Sequence, residues 1–239
     1  KLRLLERLRD TLSIDAEVDT GLVFEDCLLP GRPEKPFLVE PKFLAKRSLS
    51  KPEGRAALLH AVAHIEFNAI NLACDAVQRF SRMPAEYYRD WISVAVDEGR
   101  HFELLQARLN ALGYRYGDFD AHDGLWEMAE RTKHSCLERM ALVPRLLEAR
   151  GLDVTPGMIE KLRQAADDES ITILEVILVE EIRHVAIGSR WFAYCCKQEG
   201  KDPEREFVAL LQTIDRGALR GPFNRQARLD SGFSPVELE

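Results

Sequence analysis

The chain has 239 residues and a formal net charge of −7, and 46% of its residues are hydrophobic against 31% that are charged. This composition excludes a disordered chain, and the acidic balance argues against a nucleic-acid partner because phosphate binding needs clustered cations. Apolar runs fall short of the roughly 18 residues that a membrane helix needs, so no membrane partner is expected. Five cysteines without a Cys-x-x-Cys pair predict free thiols and a cytoplasmic protein.

The first 53 residues predict a short helix followed by an extended arm. Residues 4–12 have a helical pattern, whereas prolines at positions 30, 33, 36, 41 and 52 break up residues 14–53. The arm contains apolar segments such as Phe37–Val39, so it is too apolar to be a free linker. We therefore expect residues 1–53 to pack on the main domain.

Residues 54–200 predict the main domain. Pro52 suits the first turn of a helix, and long helices are expected at residues 53–80, 84–112, 123–150 and 168–200. A break is expected at 151–157, followed by a short helix at 157–166. Four long helices with an extended connection after the second predict an all-α, ferritin-like four-helix bundle. Residues 201–239 predict a C-terminal helix and a capping tail.

Two Glu-x-x-His units, Glu98–His101 and Glu181–His184, carry the strongest chemical signal. Residues three apart share a helix face, so each unit can present a carboxylate and an imidazole to one metal ion. A single such unit is more typical of a solvated helix surface. Both glutamates, however, fall on apolar stripes, where an unpaired charge is costly and a bound cation would compensate.

A di-metal site in a helical bundle also needs one glutamate from each of the other two helices. Glu66 is the only acid on the apolar stripe of the first helix. Glu138 and Glu148 are both candidates in the third helix. Glu148 precedes Glu181 by 33 residues, close to the 32 residues between Glu66 and Glu98, whereas Glu138 would give 43. Spacing and helix face favour Glu148, although Glu138 lies nearer the middle of its helix.

The predicted metal ligands are Glu66, Glu98, His101, Glu148, Glu181 and His184. Carboxylates with imidazoles suit iron or manganese, so two iron ions are expected, with manganese as the alternative. No catalytic residue beyond these ligands and no other cofactor site is predicted. His134 is expected to face inward, and His60 and His122 are expected at the surface or in caps.

The chain resembles a bacterial family of ferritin-like proteins of unknown function. The resemblance covers nearly the whole chain, and its most distinctive stretches are residues 52–66, 121–130, 140–153 and 184–188. Leu147–Arg150 and Glu181–His184 are also similar to motifs of the MiaE tRNA-hydroxylase family, in which the glutamate that corresponds to Glu148 is a metal ligand. These resemblances imply a ferritin-like fold and a di-metal centre, and they leave tRNA open as a partner.

Three functions are consistent with these observations. The first is a di-iron oxidoreductase that uses O₂ and an electron donor to hydroxylate or oxidise an unidentified organic substrate. The second is a ferroxidase or iron-storage protein, and the third is a helical interaction module without redox activity; manganese catalase activity is a minor option. The arm and the tail favour the first function, because they can build and gate a substrate pocket.

Overall fold

The computed structural model describes residues 3, 5, 7, 18–23, 30–45, 47–214 and 221–238. Regular structure in these ranges is helical, which confirms the all-α class. The helices are α1 (Pro52–Arg79), α2 (Ala85–Ala111), α3 (Gly124–Arg131), α4 (Cys136–Leu142), a π-helix (Val143–Glu148), α5 (Ala149–Gln164), α6 (Asp168–Gln198), α7 (Pro203–Leu211) and α8 (Arg225–Asp230). The helix predicted at residues 4–12 lies almost entirely outside the described residues.

The chain forms two compact units. The first contains Lys1–Trp126 and Lys161–Ile173, and the second contains Glu127–Glu160 and Leu174–Glu239. The domain boundaries predicted after residues 53 and 200 stay predictions.

In the first unit, α1 and α2 pack along their apolar faces. Leu59 and Ile70 of α1 and Trp91 and Leu105 of α2 are all buried, as the sequence periodicity predicts. Within the described part of the chain, α1 is the helix long and apolar enough to cross a membrane, which the sequence analysis had not anticipated. Because 67% of its most apolar window is buried inside the protein, it has the character of a core helix of a soluble protein.

The described part of the arm is attached to the connection between α2 and α3. An isolated bridge joins Leu38 to Ala121. The Val39 N–H donates to the Ala121 carbonyl at 2.8 Å, and the Ala121 N–H donates to the Phe37 carbonyl at 3.0 Å. Arg32 adds an ion pair with Asp123, with Nη1 2.7 Å from Oδ2. The arm is thereby held by its own backbone, although it forms no regular sheet in the described ranges.

The third predicted helix, at residues 123–150, is interrupted inside its predicted range and continues beyond its predicted end. The helical structure is interrupted between α3 and α4, where the Ser135 side chain accepts a hydrogen bond from the Glu138 N–H and caps the start of α4. The predicted break at 151–157 is wrong, because α5 continues through Gly151 and Pro156. Pro156 has no N–H to donate one turn back to Leu152, but Asn224 Nδ2 donates to the Leu152 carbonyl at 3.2 Å. A side chain from the tail thus replaces the lost backbone bond.

The tail is anchored in the second unit around the buried Arg145. Its guanidinium carbon lies 4.9 Å from the ring centre of Phe192, 4.3 Å from that of Phe207 and 4.6 Å from that of Phe233. Arg145 Nη2 also donates to Glu237 at 2.9 and 3.0 Å. Aromatic faces attract the cation and the carboxylate neutralises it, so this arginine joins α6, α7 and the tail.

His60 is buried on α1, which corrects the expectation that it lies at the surface. Its ring stacks on Tyr116 at 5.2 Å and meets Phe119 edge-on at 5.5 Å. The Gly117 N–H donates to His60 Nε2 at 2.9 Å, which requires that nitrogen to be unprotonated. Burial lowers the pKa of His60 to about 4. The connection between α2 and α3 therefore docks on a neutral imidazole.

We expect the free energy of unfolding to fall as the pH is lowered from about 6.5 to about 4. The unfolded chain titrates this histidine near 6.5, so it binds more protons than the native state throughout that window. The slope from one such group is at most about 1.4 kcal/mol per pH unit. Urea unfolding at several pH values should show that His60→Asn reduces the slope. An unchanged slope in the His60 variant would contradict this assignment.

Candidate metal centre

Three predicted ligands meet where α1 packs on α2. Glu66 of α1 is 4% exposed, Glu98 of α2 is 1% exposed, and His101 is fully buried. His101 Nδ1 lies 3.1 Å from Glu66 Oε2 and 3.4 Å from Glu98 Oε2. One imidazole nitrogen therefore faces two carboxylates in a region closed to water.

The two carboxylates of this triad need bound protons to balance their charges. Burial and the neighbouring charge of Glu98 raise the pKa of Glu66 to about 8. Burial lowers the affinity of His101 for a proton, but hydrogen bonds to Glu66 and Glu98 outweigh it and raise the pKa of His101 to about 11. Without a metal, protons must hold the two carboxylates together. A divalent cation can replace those protons at the same position.

The second Glu-x-x-His unit lies on α6 and is also turned inward. His184 is fully buried, and its Nδ1 lies 3.0 Å from Glu181 Oε1. The Glu181 side chain is 12% exposed. The spacing of three residues therefore brings carboxylate and imidazole together, as predicted from the helical repeat.

Glu148 ends the π-helix and is buried, at 8% exposed. A π-helix is rare and frequently marks a functional site. Its cause here is Pro144, which cannot donate to the Met140 carbonyl and would clash with it in a regular α-helix. Because the winding changes at Pro144, the face of Glu148 cannot be calculated from an α-helical repeat alone.

Glu138, the alternative ligand, is engaged elsewhere. Its Oε1 lies 3.3 Å from His134 Nε2, and its side chain is 33% exposed. The His134 side chain is 64% exposed, so the expectation that His134 faces inward is wrong. The reason is that the helix is interrupted at residues 132–135. Directions calculated for one continuous helix therefore do not hold across this interruption. Burial thus favours Glu148 over Glu138 as a ligand.

Pro144 packs directly against Gly188 of α6. A Cβ atom added to Gly188 would lie 2.4 Å from Pro144 Cβ and 2.5 Å from Pro144 Cγ, so no larger residue fits without a shift. Pro144 is four residues before Glu148, and Gly188 is four residues after His184. The contact therefore fixes how closely the π-helix approaches the face of α6 that carries His184.

Glu66, Glu98, His101 and Glu181 form a group that can hold a metal ion, since their ligand atoms all lie within 4.8 Å of one another. Two ligands on opposite sides of an ion with bonds of about 2.1 Å are about 4.2 Å apart, so the group needs only a small contraction to bind one. Glu148 and His184, although buried, are not members of this group.

Sequence reasoning did not find the π-helix or the buried polar cluster around His60 and His64. The proline inside a helical pattern at Pro144 is a usable signal for the first. No comparable signal exists for the second, because its partners come from the loop that follows α2.

The chain belongs to the family described as "Protein of unknown function (DUF455)", whose model matches residues 3–239. It is similar to an uncharacterized protein of Haemophilus influenzae (strain ATCC 51907 / DSM 11121 / KW20 / Rd), with 50% identity over 214 residues. That match covers 87% of this chain and 74% of the relative. No solved structure matches the chain significantly.

We expect Gly188→Ala to lower the free energy of unfolding by about 1–3 kcal/mol, because the added methyl group overlaps a proline ring that has no rotamers to relax. Gly157→Ala is the matched control. Gly157 lies within α5 with nothing near its added Cβ, so this change should stabilise the protein by about 0.5–1 kcal/mol. Equilibrium unfolding in urea measures both effects. Equal effects of the two substitutions would show that the close contact does not constrain α6.

Proposed function

We propose that this protein is a di-iron carboxylate oxidoreductase that uses O₂ to hydroxylate or oxidise an organic substrate. Its two metal ions would be held by Glu66, Glu98, His101, Glu148, Glu181 and His184. An electron donor would reduce the centre before each turnover. The ferritin-like and MiaE-like motifs of the sequence support the same assignment.

The observation that carries the proposal is the buried group of Glu66, Glu98, His101 and Glu181. Carboxylate oxygens and imidazole nitrogens are the donors that iron and manganese accept, and the group contains no thiolate. Side chains of this kind are buried only when they are paired or bound to a metal, and one metal ion would pair all four at once.

Charge balance supports two ions as the number bound. Glu66, Glu98, Glu148 and Glu181 bring four negative charges when ionised, and two divalent cations bring four positive charges. His101 and His184 can then bind as neutral imidazoles, which is the state in which histidine ligates metals. One ion would leave excess negative charge in a buried site, which is costly.

The surroundings of the triad suit oxidation chemistry. Iron bound by carboxylates and imidazoles supplies the activation of O₂. Trp91 and Phe102, on the same face of α2 as the ligands, are 3% and 5% exposed and keep water from the carboxylates. Glu66 and Glu98 orient His101 through its Nδ1, so the imidazole is held in place before any metal arrives.

Anaerobic titration of the metal-free protein with Fe(II) should give two ions bound per chain. We expect Glu148→Gln to reduce the stoichiometry to one ion, because it removes an anionic ligand while preserving volume. Glu138→Gln is the control and should keep two ions, since Glu138 pairs with His134. Elemental analysis after gel filtration measures both. If the two variants exchange these results, Glu138 is the ligand and the burial of Glu148 has another cause.

The reduced, iron-loaded protein should consume O₂ without accumulating a mineral core. An oxygen electrode measures the consumption, and iron content after repeated Fe(II) additions measures storage. Uptake of many irons per chain would favour a ferroxidase or storage protein. Two bound irons that neither react with O₂ nor change oxidation state would support the metal centre and refute the oxidoreductase.

A further inference from the structure

Two cysteines of the second unit are direct neighbours in space. Cys136 is the first residue of α4, and Cys195 lies near the end of α6. Their thiols are joined by a hydrogen bond, although 59 residues separate them along the chain. Both are free thiols in this structure. Hydrogen-bonded thiols already have their sulfur atoms side by side, as the formation of a disulfide requires.

The two thiols differ in their exposure and in their hold on a proton. Cys136 is half-buried, whereas Cys195 is 6% exposed. The hydrogen bond to Cys136, burial and the charge of an ionised Cys136 all raise the pKa of Cys195 well above that of an ordinary thiol. Cys195 therefore keeps its proton, and its S–H donates to the Cys136 sulfur. A small oxidant from solvent meets Cys136 first, with Cys195 in contact behind it.

The neighbouring cysteine of α6 is less suited to this pairing. Cys196 follows Cys195 directly, so its side chain points about 100° away around the helix. It is fully buried, and burial raises its pKa to about 11. Cys74 lies in the first unit and is exposed, which makes it a useful control.

We propose that hydrogen peroxide converts Cys136 and Cys195 into a reversible disulfide bond. As a thiolate, Cys136 attacks the peroxide O–O bond, which gives a sulfenic acid and one molecule of water. The negative charge that held the proton on Cys195 is then gone, so Cys195 can release the proton and attack the Cys136 sulfur. The S–O bond breaks and a second water leaves. The two thiols thus lose two electrons and two protons, and the peroxide gains them.

The bond would close the chain from Cys136 to Cys195 into a loop. This loop contains the π-helix and three of the proposed metal ligands: Glu148, Glu181 and His184. Because a cross-link restricts the unfolded chain, the oxidised protein should resist unfolding more strongly than the reduced protein. The cross-link does not depend on the proposed metal centre, so the two proposals can fail separately.

The test uses the full chain, freed of metal with a chelator so that iron does not react with the peroxide. After equimolar hydrogen peroxide, the remaining thiols are alkylated in denaturant and the protein is analysed by mass spectrometry. We expect a loss of two hydrogen atoms and a linked peptide pair that contains Cys136 and Cys195. Dithiothreitol should restore both thiols. A bond to Cys196 instead, or a sulfinic acid at Cys136 without a link, would overturn the proposal.

Cys136→Ser and Cys195→Ser should each abolish the cross-link, whereas the matched control Cys74→Ser should keep it. If the buried Cys195→Ser destabilises the fold, the half-buried Cys136→Ser still provides the comparison. Urea unfolding is an independent measurement on the unaltered protein. Peroxide should raise its unfolding midpoint, and dithiothreitol should reverse the rise. A cross-link that survives Cys136→Ser, or a midpoint that does not rise, would refute the assignment.

Discussion

Two buried carboxylates beside one imidazole are the constraint on which the rest of the first unit depends. Glu66 and Glu98 cannot both be ionised in a dry environment unless a positive charge lies between them. His101 supplies that charge in the metal-free state. Because its imidazole contacts a glutamate on α1 and another on α2, the packing of the two helices and the charge balance of the triad depend on the same residue. Hydrophobic residues of similar volume would avoid this cost, so the buried acids lower the stability of the metal-free protein.

The sequence predicts the long helices well because their apolar residues recur with the helical period. The bounds of α1, α2 and α6 agree with the predicted helices to within a few residues, and the inward positions of Glu66 and Glu98 follow from the same repeat. An uninterrupted helix of about 30 residues has one phase, so one calculation places every side chain.

The third predicted helix shows where such reasoning fails. The helical repeat is interrupted before Ser135 and changes again at Pro144. Side-chain directions calculated from one continuous α-helix therefore become less accurate along the segment. His134 was therefore assigned to the wrong side. Long-range partners are equally invisible in a local pattern: Pro156 lies inside α5 because Asn224, far along the chain, supplies the missing donor. The loop that buries His60 is a third example.

Arg145 shows how the second unit uses charge to order chain segments that have little regular structure. The tail contributes short elements with few apolar residues, so burial alone holds them weakly. A guanidinium beside three aromatic rings offers direction as well as attraction, because its N–H groups point in fixed directions within one plane. Arg145 donates in this way to Glu237, and Arg228, which lies over the rings of Phe223 and Phe233, donates to Asp153 with Nη2 2.7 Å from Oδ2.

The contact between Pro144 and Gly188 has a consequence for engineering the protein. Neither residue has a side chain that could rotate to make room for a larger group, so the distance between the two backbones is fixed at this contact. Metal preference in such a site can be altered through donor type and reach, for example by exchanging glutamate for aspartate. Attempts to fit an ion of different radius into the proposed centre should therefore vary the proposed ligands and leave Pro144 and Gly188 unchanged.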